Sequence, residues 1–246
     1  MTTTPESTKQ HQRCYARGMG NCAGKISREH YFSASLYKLL AGGESLMIEG
    51  AHWLTSGSSV ELAPSALTAK VLCEHHNSSL SVLDAEALRF FLLLRYETTA
   101  EQQHIDGDLL ERWYLKVLIG QMAATKAGWT PSTAWLNVLF GLRAFPSDAG
   151  LLVPIAGAKL RGVYNGADMQ LHFSDPKLQV PAGLFLRLGW FGSYLAIDPK
   201  IGPDAFEYSF RPREISVSYP GKRKVATFSW NGIPAGFTGP VPQHPT

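Results

Sequence analysis

The 246-residue chain has little charge, few cysteines and no long apolar run, and each shortage narrows what it can be. Charged residues make up 17% against 45% hydrophobic, a balance that excludes disorder over most of its length. The 23 Lys+Arg against 20 Asp+Glu leave a formal charge of +3, compatible with a polyanionic partner but no argument for one. Three cysteines, an odd number, exclude a fully paired disulfide scaffold. The apolar run Phe90-Phe91-Leu92-Leu93-Leu94 is closed off by Arg89 and Arg95. It falls far short of the roughly 20 residues a bilayer requires, so no membrane span is expected. The chain opens on Thr, Glu and Gln without a basic-then-apolar leader, which sets a cytoplasmic expectation. No Walker loop, dinucleotide fingerprint or Gly-x-Ser-x-Gly elbow occurs, so those enzyme classes have no support.

What is present changes character along the chain. Residues 1 to about 12 are polar and read as a frayed tail. From Arg13 to about Leu83 there are three Cys, several His and many Gly and Ser, with few long apolar stripes. Short strands are expected at Ser45–Glu49 and Ser59–Leu62, and a bound metal is the natural source of stability for a region so poor in core. Helical spacing follows over Asp84–Tyr96, with Asp84 as cap, and over Asp106 to about Ala127, which Gly128 can close. A third helix is expected after Pro131, reaching Phe140. Beyond Phe145 the texture is β-like, with runs at Leu151–Val153, Leu184–Leu188 and Ile215–Tyr219, and Gly236–Thr246 reads as a loose tail. The division expected is 12–98 and 99–246.

Two stretches carry the chemistry: Ser27-Arg28-Glu29-His30 and Leu72-Cys73-Glu74-His75-His76-Asn77. Cys14, Cys22 and the step Cys73-x-x-His76 make a Cys3His set suited to tetrahedral zinc. His75 is the alternative fourth ligand, awkward at its spacing from Cys73. Glu29 and the Asn77 side chain are oxygen donors of the kind Mg2+ or Mn2+ prefers. One metal would then build the site and a second would work in it.

The pattern Cys…Cys…Glu-His…Cys-x-x-His-Asn resembles the HNH endonuclease superfamily, in its zinc-stapled branch. The resemblance covers about the first third of the chain. It implies a small zinc-stabilised ββα-metal module at the N-terminus, and with the helical segment and β-rich C-terminal region read from spacing the expected class is α+β. It further implies a metal-dependent endonuclease cutting phosphodiester bonds in nucleic acid, with DNA the expected substrate. His30 would be the general base, Glu29 and Asn77 the ligands of a catalytic Mg2+ or Mn2+, and Cys14, Cys22, Cys73 and His76 the ligands of a structural zinc. Arg13, Arg17, Lys25 and Arg28 lie in the module and would hold the phosphate backbone without reading sequence. The C-terminal region would serve substrate recognition, a protein partner or a homo-oligomer.

The sequence departs from the family pattern in four ways. The first pair is spaced Cys14-x7-Cys22 instead of Cys-x-x-Cys, and His76 stands for the usual fourth Cys. Glu29 stands for Asp, and the stretch from His30 to Cys73 is long enough to contain an inserted hairpin.

Plainer readings stand beside these. The thiols are then unrelated buried cysteines, Glu29-His30 opens a helix running to Leu40, and Asn77 is a cap. Glu101-x-x-His104 reads as a solvated helix face, Lys222-Arg223-Lys224 as a hairpin turn after Pro220-Gly221, and Trp113, Trp129 and Trp190 as core and rim. Two further function classes remain: a non-catalytic zinc module binding nucleic acid or protein, and a small-molecule binder with an apolar cavity in the second half.

Overall fold

In the computed structural model, residues 11–42, 45–51, 53–95, 97–125, 129–154, 166–198 and 208–231 are described. A 3-10 turn at Arg17–Met19 leads into strand β1 (Ile26–His30). Helix α1 (Ala34–Ala41), strands β2 (Leu46–Glu49) and β3 (Ser59–Leu62) and a second 3-10 turn (Pro64–Leu67) intervene before β4 (Thr68–Cys73). β4 returns antiparallel beside β1 and runs straight into α2 (Glu74–Ser79). The inserted hairpin expected between His30 and Cys73 is therefore present as β2–β3, paired antiparallel.

Helix α3 (Ser81–Leu93), strand β5 (Gln102–Asp106), and helices α4 (Gly107–Ala124) and α5 (Thr133–Leu139) follow. The rest is strand: β6 (Gly150–Pro154), β7 (Gly166–Asp175), β8 (Val180–Leu188), β9 (Phe191–Ala196), β10 (Tyr208–Phe210), β11 (Glu214–Tyr219) and β12 (Lys222–Ser229). The chain is thus α+β with a β-rich C-terminal half. β1 and β4 stand alone as a pair, while β2 and β3 close one edge of a seven-stranded sheet ordered β10-β6-β9-β8-β7-β2-β3. The pairing of β2 with β7 is parallel, through Met47, Ile48 and Glu49. β5 pairs parallel with β12 in a third sheet.

α4 is the pillar on which these sheets rest. It is apolar nearly all round, with Leu110, Trp113, Tyr114, Leu115, Val117, Leu118, Ile119 and Met122 buried, which is the signature of a helix inside a core. Asp106 caps it by accepting from Leu109 N at 3.0 Å. Gly120 lets Tyr31, just beyond β1, approach closely, since a Cβ there would run into the Tyr31 side chain.

The structure corrects several expectations. The N-terminal region is not poor in core: Tyr31, Phe32, Leu36, Tyr37, Leu46, Ile48, Leu67, Leu72, Leu80 and Leu83 are buried in the same cluster as α4 and β7–β9. Its apolar residues are spaced irregularly, so no periodicity announces them. The 98/99 division falls in the loop between α3 and β5, and this one core spans both sides. α3 starts at Ser81, not Asp84, because Leu80 both ends α2 and opens α3 without a break. Asp84 is therefore not its cap. Glu101 and His104 are exposed, as a solvated face requires, but His104 lies on strand β5 and not on a helix, and its ring hydrogen-bonds Ser229 Oγ at 3.1 Å. The Lys222–Lys224 run does follow the β11–β12 turn, but Lys224 is buried, with its ammonium bound to the carbonyls of Arg95 and Thr98. Residues 1–10, Gly128 and residues 236–246 lie outside the described residues. No helix among the described residues is long and apolar enough to cross a membrane.

Candidate functional site

The Cys3His set is assembled from three separate pieces of chain. Cys73 ends β4 as the residue before α2, and His76 sits on that helix's first turn, so the Cys-x-x-His step brings both side chains to one point. Cys14 arrives from the segment before β1, held to β4 by the Tyr15 N–H donating to Val71 O at 2.9 Å. The long spacing to Cys22 is taken up by the 3-10 turn and by Gly20 and Asn21, both with positive φ (75° and 56°), which turn the chain back.

All four side chains are buried, and their ligand atoms lie within 4.8 Å of one another. His76 Nδ1 is 3.5 Å from Cys14 Sγ, 3.7 Å from Cys22 Sγ and 3.2 Å from Cys73 Sγ. One imidazole nitrogen carries one proton or one lone pair, so it cannot hydrogen-bond three thiols at once. A tetrahedral zinc with Zn–S near 2.3 Å and Zn–N near 2.0 Å places its ligand atoms roughly 3.5 Å apart, the spacing seen here. The cluster is compatible with structural zinc. His75, the alternative ligand, is exposed and outside the group.

The thiols differ among themselves. Burial pushes Cys14 up to about 12. Burial also acts upward on Cys73, but backbone groups of His76 and Ala23 and the Cys22 and Cys14 thiols outweigh it, and its net shift is downward. The His76 ring packs edge-on against Phe140, at the end of α5, with centroids 5.3 Å apart. Its pKa is lowered, by burial first and by His75 second, against a backbone hydrogen bond with Gly20.

The oxygen donors are arranged differently. Glu29 pairs across the sheet with Ala69 and faces inward, 2% exposed. Its Oε1 lies 2.8 Å from Lys116 Nζ, which also reaches Asp84 Oδ2 at 2.7 Å. Trp113 Nε1 donates to the other Asp84 oxygen at 3.2 Å. Burial raises the Glu29 pKa, with Lys116 pulling it back and Asp84 adding to the rise. The Tyr15 hydroxyl is buried in the same field and has no hydrogen-bond partner among the described residues. Asn77 is on α2, and its Nδ2 donates to Ser27 Oγ at 3.1 Å. The Mg2+ or Mn2+ expected on Glu29 and Asn77 does not fit the Glu29 side chain, which an ammonium engages in the core.

His30 ends β1, half-buried, directly across from Thr68. Its ring makes no hydrogen bond among the described residues. Burial, then Lys116, hold its pKa below the usual 6.5, against an opposing pull from Asp84. Thr68 lines a cleft of about 300 Å3 together with Arg13, Arg28, Ser65, Ala69 and Lys70. Two of the four expected phosphate contacts, Arg13 and Arg28, therefore face one cleft. Arg17 instead turns to the Gln12 carbonyl, and Lys25 is exposed ahead of β1.

Two functional candidates escaped the sequence reading. Lys70 was legible as the polar alternate of β4. Lys116 had a stronger signal: a lone cation in the apolar run from Trp113 to Met122 must be buried, and a buried lysine needs a carboxylate.

A larger cavity of about 650 Å3 opens where β7 leaves β2, between residues 49–58 and 168–173. Its lining includes Glu49, Asp168, Gln170 and His172, with Arg187 reaching both carboxylates at 3.4 and 3.5 Å. It is a polar crevice drawn from both halves of the chain, unlike the apolar cavity a small-molecule binder would need there. No protein-family model, curated protein or solved structure matches the chain.

Proposed function

We propose that this chain is an HNH-type endonuclease that hydrolyses phosphodiester bonds in nucleic acid, DNA being the expected substrate, with zinc on Cys14, Cys22, Cys73 and His76 as its structural staple. The observation that carries the reading is His30: a half-buried imidazole with no hydrogen bond among the described residues, across from Thr68 of a basic cleft, on the β1–β4 pair that the Cys3His cluster adjoins. Zinc would contribute folding energy and leave no open position for substrate.

In this reading Arg13, Arg28 and Lys70 hold the backbone by its phosphates, which gives binding with little base preference. His30, kept neutral near pH 7, takes a proton from water as the water oxygen attacks phosphorus. The P–O3′ bond breaks, and the leaving 3′-oxygen is protonated from solvent, leaving a 5′-phosphate and a 3′-hydroxyl.

The second reading, a zinc module that binds nucleic acid without cutting it, is favoured by one observation: Glu29 is engaged by Lys116 in the core. The test is incubation of the full chain with plasmid and single-stranded DNA, with and without added Mg2+ or Mn2+, beside His30→Ala. Cleavage by the parent chain that disappears in His30→Ala supports the nuclease. Retarded migration of DNA with no cleavage in any buffer moves the binding module ahead.

A further inference from the structure

We infer that the cation serving Glu29 is the ammonium of Lys116, and that this chain has no divalent-metal site there. The inference rests on the reading of Glu29-His30 as the reactive pair of a nuclease, and it sets that nuclease apart by what neutralises its acidic residue.

Three observations meet at this point. Lys116 Nζ sits between two carboxylates, 2.8 Å from Glu29 and 2.7 Å from Asp84, the bridging position a divalent ion would take. The side chains of Lys116 and Glu29 are each only 2% exposed, so a hydrated Mg2+ has no open approach to that carboxylate. And Lys116 is carried by α4, a helix buried along most of its length, where an ammonium parted from its carboxylates would be left uncompensated. Asp84 is the wetter end of the trio, its side chain 27% exposed, and it is fixed by Trp113.

Glu29 and His30 are neighbours on a strand, so their side chains leave β1 on opposite faces. Glu29 is therefore a positioning residue rather than a ligand: its ion pair pins the end of β1 to α4 and α3, and that fixes where His30 presents its ring. Lys116 and Asp84 are positioning residues of the same kind. The reactive hairpin is held from inside by a helix beyond the 12–98 segment that carries the family resemblance.

The experiment is Mn2+ binding to the zinc-loaded full chain, read by electron paramagnetic resonance, for the parent and for Glu29→Gln, Lys116→Arg and Lys116→Met. Mn2+ competes poorly for thiolate sites, so the zinc cluster does not confuse the reading. The parent and Lys116→Arg are expected to show no saturable Mn2+ binding, and Lys116→Met, if it folds, to gain a site. One Mn2+ per chain on the parent, lost in Glu29→Gln, would overturn the inference. The parent and Glu29→Gln decide the matter even if Lys116→Met does not fold, and Lys116→Arg, which keeps the charge, should match the parent. Cleavage assays separate this inference from the function it rests on. Cutting in zinc-loaded protein without added Mg2+ or Mn2+ agrees with both, and cutting only when either is added contradicts the lysine's role. The absence of both cutting and Mn2+ binding removes the nuclease while leaving Lys116 as the partner of Glu29.

Discussion

Two clusters of polar side chains lie at the β1–β4 pair, and the sequence marks the first, and Glu29 of the second, as metal-ligating. In the first, three thiols and an imidazole converge on one another, and the one imidazole nitrogen cannot satisfy all three thiols. In the second, Glu29 and Asp84 converge on the ammonium of Lys116, a cation the chain provides itself. Metal ligands and internally neutralised groups look alike in sequence. They differ in whether the protein supplies a cation of its own, and only the fold shows which of the two holds.

Withdrawing zinc is the strongest way to break the comparison. Structural zinc sites supply on the order of 10 kcal/mol of folding free energy, and here the ion would tie the segment from Cys14 to Cys22 to β4 and α2. Chelation is expected to leave residues 13–30 rapidly exchanging by hydrogen-exchange mass spectrometry, while β7–β9, in the core far along the chain, stay protected longest. Unchanged protection at 13–30 would contradict a structural ion.

Lys116→Met comes next. Removing one partner of a buried ion pair typically costs about 3–5 kcal/mol, because the carboxylates are left uncompensated. Denaturant unfolding should show a loss of that order, partly restored when Glu29→Gln is added. The bidentate Glu111–Arg211 pair, at 2.7 and 3.0 Å, is a control on the same helix. Burial pushes Glu111 up to about 7 in spite of Arg211. A raised carboxylate contributes stability below its unfolded pKa and loses it as pH rises through the folded one. The Glu111 contribution should therefore fade between about pH 4.5 and 7 in thermal melts, and a pH trend unchanged in Glu111→Gln would sink it.

Smaller effects concern the cleft. Arg28→Ala and Lys70→Ala should each reduce the salt dependence of DNA binding by about one unit of slope, while Lys25→Ala should leave it nearly unchanged. Equal effects from all three would mean that the cleft is not where phosphates sit. Smallest is the proton balance at His30. Its depressed pKa means that the unfolded chain takes up a proton where the folded one has not, so this contribution to stability is present above 6.5 and is lost as pH falls. An NMR titration should place its midpoint below 6.5, and a midpoint above that value would remove the physical basis for a neutral base.

The legible parts of the molecule are those set by local spacing. Cys73-x-x-His76 could be read because three residues make one helical turn, and the β2–β3 hairpin because the interval from His30 to Cys73 is too long for a bare turn. α4 follows from apolar spacing and α5 from a start after Pro131, and the structure adds Asp106 and Ser132 as their caps. Asp84 misled because an aspartate ahead of an apolar run is a cap signal, whereas here it belongs to a helix already begun and serves Lys116. The N-terminal core was hidden for another reason. Tyr31, Phe32, Leu46 and Leu72 bury themselves against α4 and the large sheet, and contacts over such separations leave no period in the sequence. The partner of Glu29, eighty-seven residues away, belongs with them.

Metal content of the purified full chain tests the account most directly. Elemental analysis should find one zinc per chain in the parent and none in Cys73→Ser, with no stoichiometric manganese after dialysis against Mn2+. A parent chain that holds no zinc, or one that holds zinc and manganese together, would contradict the division between one cluster built for an ion and one closed by a lysine.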